Sequence, residues 1–180
     1  MKVTETFIRD LKVIEPDVYG DDRGFFLETY SEKKYCDIIG KDVHFVQDNH
    51  SRSVEGVLRG LHFQTKHPQG KLVRVVHGKV FDVAVDLRPE SETFGKWFGL
   101  ILSAENKCQF WIPEGFAHGF QVLSNFVDFE YKCTNYYYPE FEKTLHWNDP
   151  SIGVDWPLES AIISDKDREG LSLEQLNLSI

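Results

Sequence analysis

Between Gly24 and Cys133 the chain divides into short β-prone runs, with turn signals at close intervals between them. That rhythm leaves little room for anything but a sandwich or a barrel. Phe81-Asp82-Val83-Ala84-Val85-Asp86-Leu87-Arg88 alternates apolar with mostly polar residues, as a strand with two different faces does. Lys71-Leu72-Val73-Arg74-Val75-Val76 is rich in β-branched residues and reads as another strand. His77-Gly78-Lys79 is then expected to be the hairpin turn joining the two. Further strands are expected at 24–30, 45–51, 97–102, 108–112, 117–123 and 127–133. Asp21-Asp22-Arg23-Gly24, Pro113-Glu114-Gly115 and Ser124-Asn125 supply turns between them. Helical patterning is weak: 31–39, with Ser31 as N-cap and Gly40 as stop, and a short helix at 164–170.

Composition narrows the class. A length of 180 residues favours one domain with a sizeable core, and 41% hydrophobic with 27% charged residues fits a soluble globular protein. An aromatic share of 14% suits the space between two sheets. No apolar run is long enough to span a bilayer, and the N-terminus leads into no signal-peptide core, so a cytoplasmic location is expected. The net charge of −9 argues against general nucleic-acid binding; a nucleotide would need a local basic site, for which Arg23, Arg59, Lys71 and Arg74 are candidates. Cys36, Cys108 and Cys133 have neither disulfide nor zinc spacing and read as reduced thiols. Glycine-rich phosphate loops and a Gly-x-Ser-x-Gly elbow are both missing, against NTP hydrolysis, Rossmann dehydrogenases and serine hydrolases.

Chemistry concentrates in Val57-Leu58-Arg59-Gly60-Leu61-His62-Phe63-Gln64 and the following Lys71. Arg59 offers a rigid fork for phosphate, His62 a proton carrier near neutral pH, and Lys71 a charge for an oxyanion. Strand alternation puts His62 and Gln64 on one face and Leu61 and Phe63 on the other. An isolated histidine there reads as a hydrogen-bonded core residue; flanking Arg59 and Lys71 favour a general base. His118 follows a Pro-x-Gly turn at the start of a strand, but two histidines are too few for the usual catalytic metal. Tyr131 is either an amphipathic core residue or the acid opposite a histidine base. Tyr136, Tyr137 and Tyr138 offer a stacking wall for a base or sugar. Arg23 and the run Gln47-Asp48-Asn49-His50-Ser51 read either as nucleotide contacts or as locally bonded loops. Asp165 and Asp167 are surface or helix-start residues unless one returns to orient His62.

Several ordered motifs together resemble the dTDP-4-dehydrorhamnose 3,5-epimerases, a metal-free branch of the cupins. They are Asp22-Arg23-Gly24-Phe25-Phe26, Gln47-Asp48-Asn49-His50-Ser51, Leu58-Arg59-Gly60-Leu61-His62-Phe63-Gln64 and Gly70-Lys71-Leu72-Val73-Arg74. Phe81 to Asp86, Trp111 to Phe120, Tyr131, Trp147-Asn148-Asp149-Pro150 and Ser164-Asp165-Lys166-Asp167 extend the likeness over nearly the whole chain. The resemblance implies an all-β, cupin-like jelly-roll barrel with a few short helices. It implies one domain over 1–180, with both terminal extensions packed on it, in a homodimer. The implied reaction converts dTDP-4-dehydro-6-deoxy-D-glucose to dTDP-4-dehydro-L-rhamnose. No cofactor is expected, because the sugar's own ketone is the electron sink. By motif match His62 is the base, Asp167 its carboxylate partner, Tyr131 the acid and Lys71 the enolate's counter-charge. Arg59 holds the diphosphate, and Arg23, Glu28, Gln47 and Asn49 form the nucleotide set, with Arg23 and Glu28 open to supply across the dimer. His118 and Tyr137 line the pocket. The family often has a proline shortly after the Ser-x-Lys-Asp motif, where this chain continues Arg168-Glu169-Gly170-Leu171. Two rival readings share many of these residues: an enzyme that inverts only C3 or only C5 of a related sugar, and a non-enzymatic sugar-binding cupin.

Overall fold

The structure, a computed structural model, describes residues 1–176. Its elements in chain order are β1 (Lys2–Glu5), β2 (Lys12–Glu15), β3 (Val18–Asp21), β4 (Gly24–Leu27), α1 (Glu32–Ile39), β5 (Gln47–Val54) and β6 (Leu58–Gln64). They continue with β7 (Lys71–His77), β8 (Lys79–Asp86), β9 (Trp97–Ser103), β10 (Gln109–Ile112), β11 (Phe116–Val122) and β12 (Phe126–Cys133). A 3-10 turn (Pro139–Phe141), β13 (Glu142–Thr144) and α2 (Asp165–Arg168) complete the set. The expected strands from 97 to 133 match β9 to β12 closely. The sequence reading missed β1, β2, β3 and β13, which are three or four residues long and too short to show alternation.

One sheet has the order β1-β2-β10-β7-β12-β5 and the other β13-β6-β11-β8-β9, while β3 and β4 form a separate ribbon. Every strand pair is antiparallel, which gives the two-layer sandwich of the jelly-roll expectation. The hairpin expected at His77-Gly78-Lys79 is not formed, because β7 lies in the first sheet and β8 in the second. Gly78 has φ +80°, and a Cβ there would meet the Phe126 carbonyl oxygen at 2.2 Å. Only glycine fits this corner, where the chain crosses between layers. A glycine between two β-runs looks the same in sequence for a hairpin and a corner.

Between the layers lies a core of Val73, Val75, Val80, Ala84, Leu102, Phe110, Ile112, Phe120, Val122, Val127 and Phe129, with Ile8 and Leu11 from the β1–β2 connection. Each of these side chains other than that of Ala84 contributes about 1.5–3 kcal/mol on burial. The outer faces are covered too. Tyr35 of α1 packs with Ile14, Leu72 and Trp111 against the first sheet. Ile152, Val154 and Trp156 pack with Leu61, Phe63, Val83 and Val85 against the second. Leu61 and Phe63 therefore face outward, and His62 faces the interior, as strand alternation requires.

Toward one end of the sandwich the interior turns polar. On β7 the inward series Val75, Val73 ends in Lys71; on β12, Phe129 is followed by Tyr131; on β11, Phe120 is preceded by His118. These substitutions convert part of a packed interlayer into a cavity.

Candidate active site

The cavity has a volume of about 300 Å³. The first sheet supplies Gln47, Asn49 and Ser51 from β5, Tyr131 and Cys133 from β12 and Lys71 from β7. The second supplies Arg59 and His62 from β6, His118 and Phe120 from β11 and Glu142 from β13. Register aligns them: Tyr131 pairs with Asn49 and Val73, Cys133 with Gln47 and Lys71, and His118 with His62. Gly60 and Gly119 let β6 and β11 approach closely here. A Cβ on Gly119 would lie 2.4 Å from the Arg59 carbonyl oxygen, and one on Gly60 would lie 2.7 Å from Gly119 Cα.

His62 Nε2 lies 2.5 Å from Asp167 Oδ1, and the second Asp167 oxygen accepts the Gly60 N–H at 3.4 Å. Asp167 is 3% exposed. Ser164 caps α2 by accepting the Asp167 N–H at 3.2 Å, which turns the acid inward. Burial raises the Asp167 carboxyl, but the His62 bond and charge outweigh it and hold the group below the usual carboxylate range. Without the family's proline, the C-terminal segment is tied down by Leu171, whose N–H donates to the Thr144 carbonyl at 2.9 Å.

Lys71 is 8% exposed and has no ion pair or hydrogen bond among the described residues. Burial pushes its ammonium below the usual lysine range, while Cys133, Glu142 and Asp82 draw it back. A negative charge developing on a bound ligand would complete its surroundings. Tyr131 stands across the cavity from His62, and burial raises its phenol, so the neutral donor form dominates near neutral pH. His118 Nε2 lies 2.9 and 3.1 Å from the two oxygens of Asp82, which is 0% exposed. Burial dominates both partners, lowering the histidine and raising the acid.

Among the other expected residues, Gln47 Nε2 donates to Asn49 Oδ1 at 3.0 Å, and Gln47 Oε1 accepts the Tyr137 N–H at 3.0 Å. The Arg59 guanidinium touches only the Ser53 hydroxyl and the Arg52 carbonyl among the described residues, leaving its charge unpaired. Tyr137 reaches the cavity and donates to Glu142 Oε2 at 2.6 Å, whereas Tyr138 packs tilted against His67, ring centroids 4.7 Å apart. Arg23 and Glu28 do not line this cavity: Arg23 pairs with Asp21 on the β3–β4 ribbon, and Glu28 pairs with Lys34. Sequence reading missed two acids, Asp82 and Glu142. Asp82 carried a signal, since it shares the inward parity of Val80 and Ala84. Glu142 lies in a three-residue strand and carried none. Cys133 also lines the wall, with burial pushing its thiol up to about 11, so it is an inert thiol.

The dTDP-4-dehydrorhamnose 3,5-epimerase family model matches residues 5–175. The chain is 57% identical over 171 residues to the dTDP-4-dehydrorhamnose 3,5-epimerase of Pseudomonas aeruginosa, covering 94% of each chain. It is 56% identical over 178 residues to that of Escherichia coli, covering 98% of this chain and 96% of the other. Among solved structures it is similar to dTDP-6-deoxy-D-glucose-3,5-epimerase RmlC from Legionella pneumophila in complex with dTDP-4-keto-L-rhamnose. The TM-score is 0.95 at 55% identity, with 98% of this chain and 94% of that one covered.

Proposed function

Since the chain belongs to the dTDP-4-dehydrorhamnose 3,5-epimerase family, with its cupin-like fold and its activity in dTDP-L-rhamnose biosynthesis, we propose that the sugar is inverted in the cavity between the two sheets. His62 removes the proton at C5, next to the C4 ketone, and the electron pair moves onto the C4 oxygen. Lys71 balances that charge. Tyr131 returns a proton to C5 from the opposite face. The same steps then run at C3, which also flanks the ketone. Asp167 holds the His62 ring and its tautomer. The observation that carries this reading is that His62 and Tyr131 project from opposite sheets into one cavity, so a ring between them is reached on both faces.

Arg59 takes the diphosphate, its guanidinium having no carboxylate to satisfy it. Gln47, Asn49, His118 and Tyr137 orient the rest of the dTDP-sugar. The functional unit is a cytoplasmic homodimer in which the β3–β4 ribbon of one copy brings Arg23 and Glu28 to the cavity of the other. Tyr19, Phe25 and Phe26 on that ribbon are 62–69% exposed, an apolar face that a second copy would cover.

Proton NMR of dTDP-4-dehydro-6-deoxy-D-glucose with the protein in D₂O tests the assignment. The wild type should introduce deuterium at C3 and C5 and yield the L-sugar. His62→Ala should lose exchange by about 10²–10⁴-fold while still binding dTDP. Tyr131→Phe should exchange deuterium without inversion. Near-normal turnover in His62→Ala would remove it as the base, and exchange at one carbon alone in the wild type would indicate a mono-epimerase.

A further inference from the structure

Two inversions by one base and one acid leave a proton imbalance. After the first, His62 carries an extra proton and Tyr131 lacks one. The second inversion needs a neutral His62 and a protonated Tyr131, so His62 must shed a proton and Tyr131 regain one while the sugar stays bound. We propose that Glu142 and Tyr137 return this proton, resetting the site between the two inversions; this rests on the base and acid assigned above.

Glu142 and Tyr137 line the same cavity as both ends of the path. Glu142 and Thr144 of β13 lie opposite Gln64 and His62 of β6, which puts Glu142 on the His62 face one pair along the strand. Tyr137 donates its O–H to Glu142 Oε2 at 2.6 Å and shares the cavity wall with Tyr131. His62, Lys71, Tyr137 and Glu142, which line the main cavity, also line a small chamber of about 30 Å³. Such a volume holds one or two waters, and its polar walls supply their partners. The Lys166 ammonium pairs with the same Glu142 oxygen that Tyr137 reaches, and the residue lies beside Asp167 on α2. Burial raises the Glu142 carboxyl, but its bonds to Lys166 and Tyr137 and the charge of His62 hold it below the usual range, so it stands as a carboxylate that would hold a relayed proton only in passing.

The transfer balances. The His62 imidazolium gives its proton through chamber water to the Glu142 carboxylate. Tyr137 gives its own proton to the Tyr131 phenolate and takes the one held on Glu142. His62 ends neutral, Tyr131 protonated, and Glu142 and Tyr137 as they began. No oxidant or cofactor enters.

The test is single-turnover NMR in D₂O with enzyme in excess, scoring singly against doubly inverted sugar. Glu142→Gln removes the acceptor, and Tyr137→Phe breaks the relay while keeping the Glu142–Lys166 pair. Each should raise the ratio of singly to doubly inverted sugar by about 10-fold or more, and added imidazole or acetate should restore it by carrying the proton instead. A simple binding defect would slow both inversions alike and show no buffer rescue; that result overturns the relay, as does an unchanged ratio in both variants. His62→Ala run alongside separates the two hypotheses. If it still exchanges either carbon at a near-normal rate, the base assignment fails. If it is inactive while both relay variants keep the wild-type ratio, only the return path fails.

Discussion

Lys71 shows at the residue scale how this site conflicts with stability. A nearly buried ammonium with no partner among the described residues costs folding energy. Methionine has a similar length and no charge to desolvate. Lys71→Met should lower turnover by roughly 10²–10³-fold and raise stability by about 0.5–2 kcal/mol, read by steady-state kinetics and thermal melts. A lower melting temperature would mean that the ammonium is already compensated. Asp128, as little exposed as Lys71 but fully paired, gives the opposite case. Arg52 grips it with two bonds of 2.7 Å, and with His50 holds its pKa at about 2. Because that value is depressed, the pair stabilises the fold above the unfolded carboxylate pKa of about 3.9. The contribution is lost as pH falls through about 2. Denaturant titrations should therefore show the difference between wild type and Asp128→Asn shrinking over that acid window and constant at neutral pH.

The glycine pair on β6 and β11 carries the argument at the element scale. Gly60 and Gly119 bring two strands together where His62 and His118 stand in register. A methyl on Gly119 would meet backbone, which cannot swing aside as a flexible side chain would. Gly119→Ala should destabilise by roughly 1–3 kcal/mol, and it should lower turnover through displaced histidines; unchanged melting and activity would show that the strands can separate freely. The residues of β6 were legible in sequence because alternation alone assigns His62 inward and Leu61 outward. Its contact with α2 was legible only through the family resemblance, since His62 and Asp167 lie far apart in the chain and only the Ser164 cap turns the acid inward.

For the whole molecule, the β3–β4 ribbon raises the question of the second copy. It pairs with neither large sheet and holds Arg23 away from its own cavity. If two copies exchange ribbons, Arg23→Ala and His62→Ala should each be nearly inactive, yet mixing and reassociating them should restore activity. Random pairing gives one intact site in each mixed dimer, roughly a quarter of wild-type activity. Absence of complementation in a mixture proven to exchange subunits would place Arg23 outside the site.

The sequence by itself determined the β-class, the inward and outward faces of the long strands, both helices and the residues able to exchange protons, because these depend on local period and side-chain chemistry. Only the tertiary structure decided that Gly78 is a corner, that Tyr131 faces His62 across a cavity, and that Asp82 and Glu142 belong to the site. Those facts depend on which sheet each strand joins. Sheet membership follows from the pairing of strands distant in the chain, with no local pattern to record it.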